Sequence, residues 1–172
     1  MTLAATNPWT PDTLFSSKSI EWATPQALFD KLDTEFHFGM DGCAQGHNAK
    51  CDIFLSPVEN SLTSDWGDII LPGSTVWLNP PWGRTIGTWL AKAVQEARDS
   101  DLVVVCLIPA STDTAWWHDY VMKAAQVRFI RGRLKFIRDD GHTGPCPKGA
   151  AVVVFTRWGL AGPPSFSTMD RV

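Results

Sequence analysis

The stretch that decides how this chain is read is Val76-Trp77-Leu78-Asn79-Pro80-Pro81-Trp82-Gly83, a short apolar strand running directly into two prolines and an aromatic residue. Pro80 and Pro81 fix φ, carry no N–H, and hold the residue before each of them in extended geometry. The turn is therefore stiff and poor in donors, and it offers two acceptors, the Asn79 side-chain oxygen and the Pro80 carbonyl. Two adjacent acceptors suit a single –NH2 group. An aromatic amine is a weak nucleophile because its lone pair is delocalised into the ring. Acceptors placed for a tetrahedral nitrogen draw that pair out, which stabilises a transition state through preorganised dipoles. Trp82 adds a flat face for a base removed from its stack. A Pro-Pro after a strand is also ordinary loop punctuation. Here it is bracketed by Asn and Trp and sits at the carboxyl end of a strand, where open α/β sheets place their ligands.

Downstream, Gly83-Arg84-Thr85 leads into an amphipathic helix whose apolar face is Ile86, Trp89, Leu90, Ala93, Val94 and Ala97, at three- and four-residue spacing. The unbroken apolar run Leu102-Val103-Val104-Val105-Cys106-Leu107-Ile108 predicts a strand buried on both faces, central in a parallel sheet. Strand, turn, helix, strand is a βαβ unit, so the fold class is α/β. The loop Pro109-Ala110-Ser111-Thr112-Asp113 leaves at the same edge and opens a helix carrying Trp116, Trp117, Tyr120 and Val121. Asp113 and Trp116 are candidates to line the site, although Asp113 also suits a helix N-terminus. Residues 127–138 interleave Arg128, Arg131, Arg133, Lys135 and Arg138 with Phe129, Ile130, Leu134, Phe136 and Ile137. That pattern fits a strand edge that grips phosphates, and equally an edge strand guarded by charge. Residues 139–147 read as a loop, and Ala150–Phe155 as an apolar strand antiparallel to the basic one.

Upstream, Glu21-Trp22-Ala23-Thr24-Pro25 enters a helix, with Thr24 as N-cap, Pro25 at the first helical position, and Leu28, Phe29, Leu32 and Phe36 on one face. Phe36, Phe38 and Met40 alternate with His37 and Gly39, predicting a strand that ends at Asp41-Gly42-Cys43-Ala44. Small residues at a strand tip let a ligand approach the backbone, while an acid before a glycine also makes a plain turn. Cys43, His47 and Cys51 are four residues apart in succession. They lack a fourth ligand, and Gly46 and Asn48 favour a turn, so no metal is expected. Ile53-Phe54-Leu55 reads as one short strand. Ser64-Asp65-Trp66 either places Asp65 in the loop beside Asn79 or is an exposed turn acid next to a packed Trp.

With 172 residues, 44% apolar and 19% charged, the chain predicts one soluble domain with a core of its own. We expect a flexible arm at 1–19, the domain at 20–158, and a flexible tail at 159–172, where Pro, Ser and Gly return. A net charge of −3 means that any nucleic-acid contact must come from a local basic patch. No apolar run is long enough to cross a bilayer and no signal-peptide core is visible. The four cysteines show no CxxC pairing. Cytoplasmic residence is the expectation.

With these pieces in order, the sequence resembles the phage-type DNA N6-adenine methyltransferases (Dam). The resemblance covers about 21–155. It is carried by Glu21-Trp22-Ala23-Thr24-Pro25, Met40-Asp41-Gly42-Cys43-Ala44 with Asn48-Ala49-Lys50-Cys51, Asp65-Trp66, Leu78-Asn79-Pro80-Pro81-Trp82, residues 109–117 and residues 129–136. It implies a Rossmann-like, S-adenosylmethionine-dependent methyltransferase: a mostly parallel central sheet with an antiparallel C-terminal strand pair. A flipped adenine would be held by Asn79, Pro80, Pro81 and Trp82. Cofactor contacts would come from Trp22, Thr24, Pro25, Asp41, Cys43, Ala44, Asp65 and Asn79. DNA contacts would come from Arg84, Arg128, Arg131, Arg133 and Lys135, in a monomer or homodimer within a bacterial or phage-infected cell. Many related enzymes carry Tyr or Phe where this chain has Trp82, and the first motif lacks the Gly-x-Gly of larger methyltransferases. Two other readings stand beside it: a methyltransferase acting on a protein glutamine amide or an RNA base amine, which fits the same turn, and a non-catalytic DNA-binding protein that uses the basic strand alone and leaves Asn79 without a purpose.

Overall fold

A computed structural model describes residues 23–137, 143–146 and 148–172. Its centre is a six-stranded sheet built from β1 (Phe38–Asp41), β2 (Thr75–Leu78), β3 (Val103–Pro109), β4 (Gln126–Arg131), β7 (Ala150–Phe155) and β8 (Ser165–Asp170). In space the order is β1-β2-β3-β7-β4-β8. The pairs β1/β2, β2/β3 and β4/β8 are parallel, and β7 runs antiparallel to both β3 and β4. The sheet is thus mixed, with one reversed strand next to its centre. A separate two-stranded hairpin of β5 (Lys135–Ile137) and β6 (Thr143–Pro145) follows β4.

The alternation of side chains along β3 divides the core. Val104, Cys106 and Ile108 face one layer with helix α2 (Ile86–Asp99), where Ile86, Trp89, Leu90, Ala93 and Ala97 are buried as their spacing predicts. Val105 and Leu107 face the other layer, against Leu28, Phe29 and Leu32 of α1 (Gln26–Phe36). A strand covered on both faces needs apolar residues at every position. The same holds for β7, whose six residues are all buried. The short helix α3 (Ala115–Asp119) places Trp117 in the α2-side core.

Five local expectations change. Helix α1 starts one residue later than read: Pro25 is the N-cap, its carbonyl accepting from the N–H groups of Leu28 and Phe29, and no side chain caps the helix. Phe36 belongs to α1, and His37 closes that helix in the left-handed region at φ 52°. The basic stretch is two strands rather than one, because Gly132, at φ 83°, turns the chain out of the sheet after Arg131. Finally, the segment read as a tail from 159 on contains β8, which adds to the outer side of β4 over the register Gln126↔Ser165 through Arg131↔Asp170. The 53–55 segment forms one bridge, Phe54 beside Asp41, and not a full strand.

Candidate active site

Strands β1, β2, β3, β4 and β8 all point the same way, so their carboxyl ends share one edge. Asn79 follows β2 at that edge. Across β7, Ile108 and Phe129 both sit opposite Ala151, so Arg131 and the β5–β6 hairpin rise beyond the same edge. The Asn-Pro-Pro-Trp turn therefore opens between the end of β1 and the loop after β3.

The turn is held at its base, at Asn79 and at Trp82. At its base, Leu78 and Val76 pack against Gly42, where an added Cβ would come within 3.2–3.3 Å of Trp66, Val76 and Leu78. The smallness of Gly42 thus serves packing within the protein. The Gly42 carbonyl accepts from the Ser61 hydroxyl at 2.6 Å, and the Trp66 indole N–H donates to Ser61. At Asn79, the side-chain Nδ2 donates to Thr24 Oγ1 at 3.0 Å. Thr24 is only 5% exposed. At Trp82, the indole N–H donates to the Leu107 carbonyl at 3.2 Å, and the ring meets Phe136 of β5 edge-on at 5.4 Å and 82°. Strand β2 ends level with Cys106, so Trp82 satisfies a β3 carbonyl that has run past its strand partner. Pro80 is buried and Gly83 and Arg84 are exposed.

Asp41 lies at the neighbouring strand tip, 3% exposed. One carboxylate oxygen accepts from the Cys43 N–H and the other from the Lys50 N–H, both at 3.1 Å, which ties down the intervening loop. Burial pushes its pKa up to about 6, against the pull of those two N–H groups and of the Lys50 ammonium. Lys50 Nζ in turn donates to Gln26 at the start of α1. Its own pKa is lowered, chiefly by desolvation. Ala44 is buried and its N–H bonds the Leu55 carbonyl.

The structure brings Thr24, Pro25, Asp41, Cys43, Ala44, Asn79, Pro80, Pro81 and Trp82 to one edge. It does not bring Asp65 there. The Asp65 carboxylate caps Gly67 N–H, and Gly67 lies against Ser100, just before β3 begins, at the opposite edge of the sheet. Trp22 and Arg138 lie outside the described residues. Cys43, His47 and Cys51 do not share a helical face: Gln45 to Asn48 is a turn held by the Asn48 side chain. Cys43 packs on the α2-side core and Cys51 on the α1-side core. Among the described residues no group of three His, Cys, Asp or Glu could hold a metal ion.

The expected cations also divide. Arg128 is engaged inside the protein, forming a two-pronged pair with Glu35 at 2.7 and 2.6 Å, bonding Gln126, and lying over the Phe36 ring at 5.2 Å. It clamps α1 to β4, and its guanidinium holds Glu35 below the usual carboxylate range. Arg84, Arg133 and Lys135 are exposed at the carboxyl edge. So is Arg131, with only a loose pair to Asp170 at 3.8 Å. Sequence reading missed Ser61, Phe136 and the Leu107 carbonyl as supports of the turn. Their partners are distant in sequence and no local pattern marks them. Asp113 is exposed ahead of α3, and Trp116 packs against Gly87 in the first turn of α2.

Fold and site together define an α/β protein with a mixed sheet, consistent with a methyltransferase-like fold, whose Asn-Pro-Pro-Trp turn stands at the carboxyl end of a central strand. The family model described as DNA N-6-adenine-methyltransferase (Dam) matches residues 12–171, and the chain belongs to that family. It is 30% identical to a DNA N-6-adenine-methyltransferase of Haemophilus phage HP1 (strain HP1c1), across 69% of this chain and 67% of that one. It is 28% identical to a DNA N-6-adenine-methyltransferase of Escherichia phage T1, across 74% of this chain and 57% of that one. Among the described residues, no helix is long and apolar enough to cross a membrane.

Proposed function

We propose that the chain transfers a methyl group from S-adenosylmethionine to the N6 amine of adenine in DNA, on a Rossmann-like sheet. The observation that carries this reading is the Asn79-Pro80-Pro81-Trp82 turn, fixed at the carboxyl edge beside a buried acid and below exposed cations. Asn79 Oδ1 and the Pro80 carbonyl accept the two amine hydrogens, and that demand for two donors draws the nitrogen lone pair out of the ring. Trp82, held through its N–H and its packing on Phe136, is the wall against which the flipped base lies. The surplus proton leaves to water once the amine has been alkylated. No covalent enzyme intermediate is required.

S-adenosylmethionine, when bound, supplies an electrophilic methyl group. Asp41 fits its charged ammonium end: each carboxylate oxygen uses one acceptor position on a backbone N–H and has a second, and burial leaves its charge poorly compensated. Pro25, Cys43 and Ala44 would form the wall around it. Arg84, Arg131, Arg133 and Lys135 would hold phosphates on either side of the extruded base.

The test is transfer from labelled S-adenosylmethionine to unmethylated double-stranded DNA, with nucleoside digestion of the product. We expect N6-methyladenine from the native chain and none from Asn79→Ala. Turnover by Asn79→Ala within about tenfold of the native rate would sink the assignment. Cofactor binding without a DNA product would direct the search to RNA or protein amides.

A further inference from the structure

We infer that Thr24 is a positioning residue for this reaction: its hydroxyl anchors the Asn79 amide in the place from which Oδ1 reaches the target amine. The inference rests on the reading of Asn79 given above. An amide side chain is nearly symmetric in shape and opposite in chemistry at its two ends, so a half-turn about its last bond exchanges an acceptor for two donors. Presenting Nδ2 to an amine would set donor against donor and leave the lone pair in the ring. A bond from Nδ2 to a fixed neighbour anchors the amide with Oδ1 on the other side.

Thr24 is such a neighbour. Its Oγ1 takes the Asn79 Nδ2 at 3.0 Å from a position 55 residues away in sequence, and it is buried, so the bond is made out of competing water. The hydroxyl is also fixed in space. Thr24 adjoins Pro25, the N-cap of α1, and α1 is locked to β2 by Phe29, which packs edge-on against Trp77 at 5.8 Å and 82°, two residues before Asn79. Pro25 holds the N-cap place, so the Thr24 hydroxyl stands one residue outside the capping position and is available to Asn79.

The experiment compares the native chain with Thr24→Val, Thr24→Ser and Thr24→Ala in steady-state methyl transfer to DNA. S-adenosylmethionine binding by calorimetry and thermal melting are measured on the same samples. We expect Thr24→Val to lower kcat about tenfold or more with KM for DNA and cofactor affinity little changed, Thr24→Ala to do the same, and Thr24→Ser to recover activity to within about threefold. Loss of cofactor affinity with kcat intact at saturation would overturn the inference in favour of a direct cofactor contact. A lowered melting temperature with kcat per folded molecule unchanged would overturn it in favour of a structural role. If Asn79→Ala is inactive and Thr24→Val turns over like the native chain, only the positioning inference fails. If Asn79→Ala is itself active, the proposed function fails and the inference with it.

Discussion

Asp41 gives this fold an inverted pH dependence that can be isolated. Its carboxyl is buried, and its pKa is pushed from 3.8 up to about 6, with desolvation as the leading cause. Between those two values the unfolded chain has lost the proton and the folded chain still holds it. Stability therefore falls as pH rises through this window. The ionised carboxylate costs the ligand-free fold about 3 kcal/mol at neutral pH, of which about 2 kcal/mol is recovered by pH 4.5. Glu35 works in the opposite direction: Arg128 depresses its pKa, so its contribution is present above the unfolded value and is lost as pH falls. Subtracting Asp41→Asn removes this shared background. The variant keeps one acceptor for the N–H groups of Cys43 and Lys50 and loses the other, a penalty that does not titrate. We expect urea unfolding at a series of pH values to show the native chain gaining on Asp41→Asn by about 2 kcal/mol as pH is lowered from 7 to 4.5. A constant difference across that range would refute the claim that Asp41 sits in the fold as a poorly compensated buried charge.

Ser61→Ala should destabilise the fold by about 1–3 kcal/mol in urea or thermal unfolding, because the hydroxyl both donates to the Gly42 carbonyl and accepts from Trp66 in a buried network. Trp82→Phe keeps a ring beside Phe136 but strips the Leu107 carbonyl of its side-chain donor. It should cost about 1–3 kcal/mol in the same assay, with a larger fall in methyl transfer than that loss of folded protein explains. Arg131→Ala, Arg133→Ala and Lys135→Ala should each weaken DNA binding and lower the slope of log affinity against log salt by about 1. Arg128→Ala should leave that slope unchanged and lower stability, since its guanidinium is spent on Glu35 and Phe36.

What the sequence discloses depends on whether the cause of a structure is local. Helix α2 and strands β3 and β7 are legible because burial on one face or on both imposes a pattern within a few residues. The turn at Asn79 is legible because proline chemistry is local too. Thr24 misleads for the same reason: a Thr-Pro before a helix is a capping signal, but Pro25 takes the N-cap place and the partner of the Thr24 hydroxyl, Asn79, lies 55 residues downstream. Arg128 has its charge visible and its use hidden, since Glu35 is 93 residues away. Asp65 follows from the sequence as a turn acid beside a buried Trp, but nothing within 64–66 tells which edge of the sheet the turn occupies. Strand β8 is illegible because it is an exposed edge. Its residues pack little, and what holds it is backbone pairing to β4 rather than an apolar stripe.

The supports of the turn come from segments that share no sequence neighbourhood, and each is itself rooted in a core. Trp66 and Ser61 hold Gly42 and, through it, Leu78 from the α2 side. Thr24 and Trp82 act from the α1 side, one on the amide and one through the Leu107 carbonyl and Phe136. A stiff Pro-Pro pair between such fixed points has little freedom to reorient when charge develops on an amine, and electrostatic stabilisation is greatest when the dipoles need not move. This also explains why the buried acid and the acceptor turn stand on adjacent parallel strands. The β1/β2 register, with Asp41 opposite Trp77, places the group suited to a cation and the group suited to an amine on neighbouring strands, at one edge of the sheet. Strand pairing therefore sets the geometry between the two halves of the proposed site, and the side-chain clamps set the geometry within one of them.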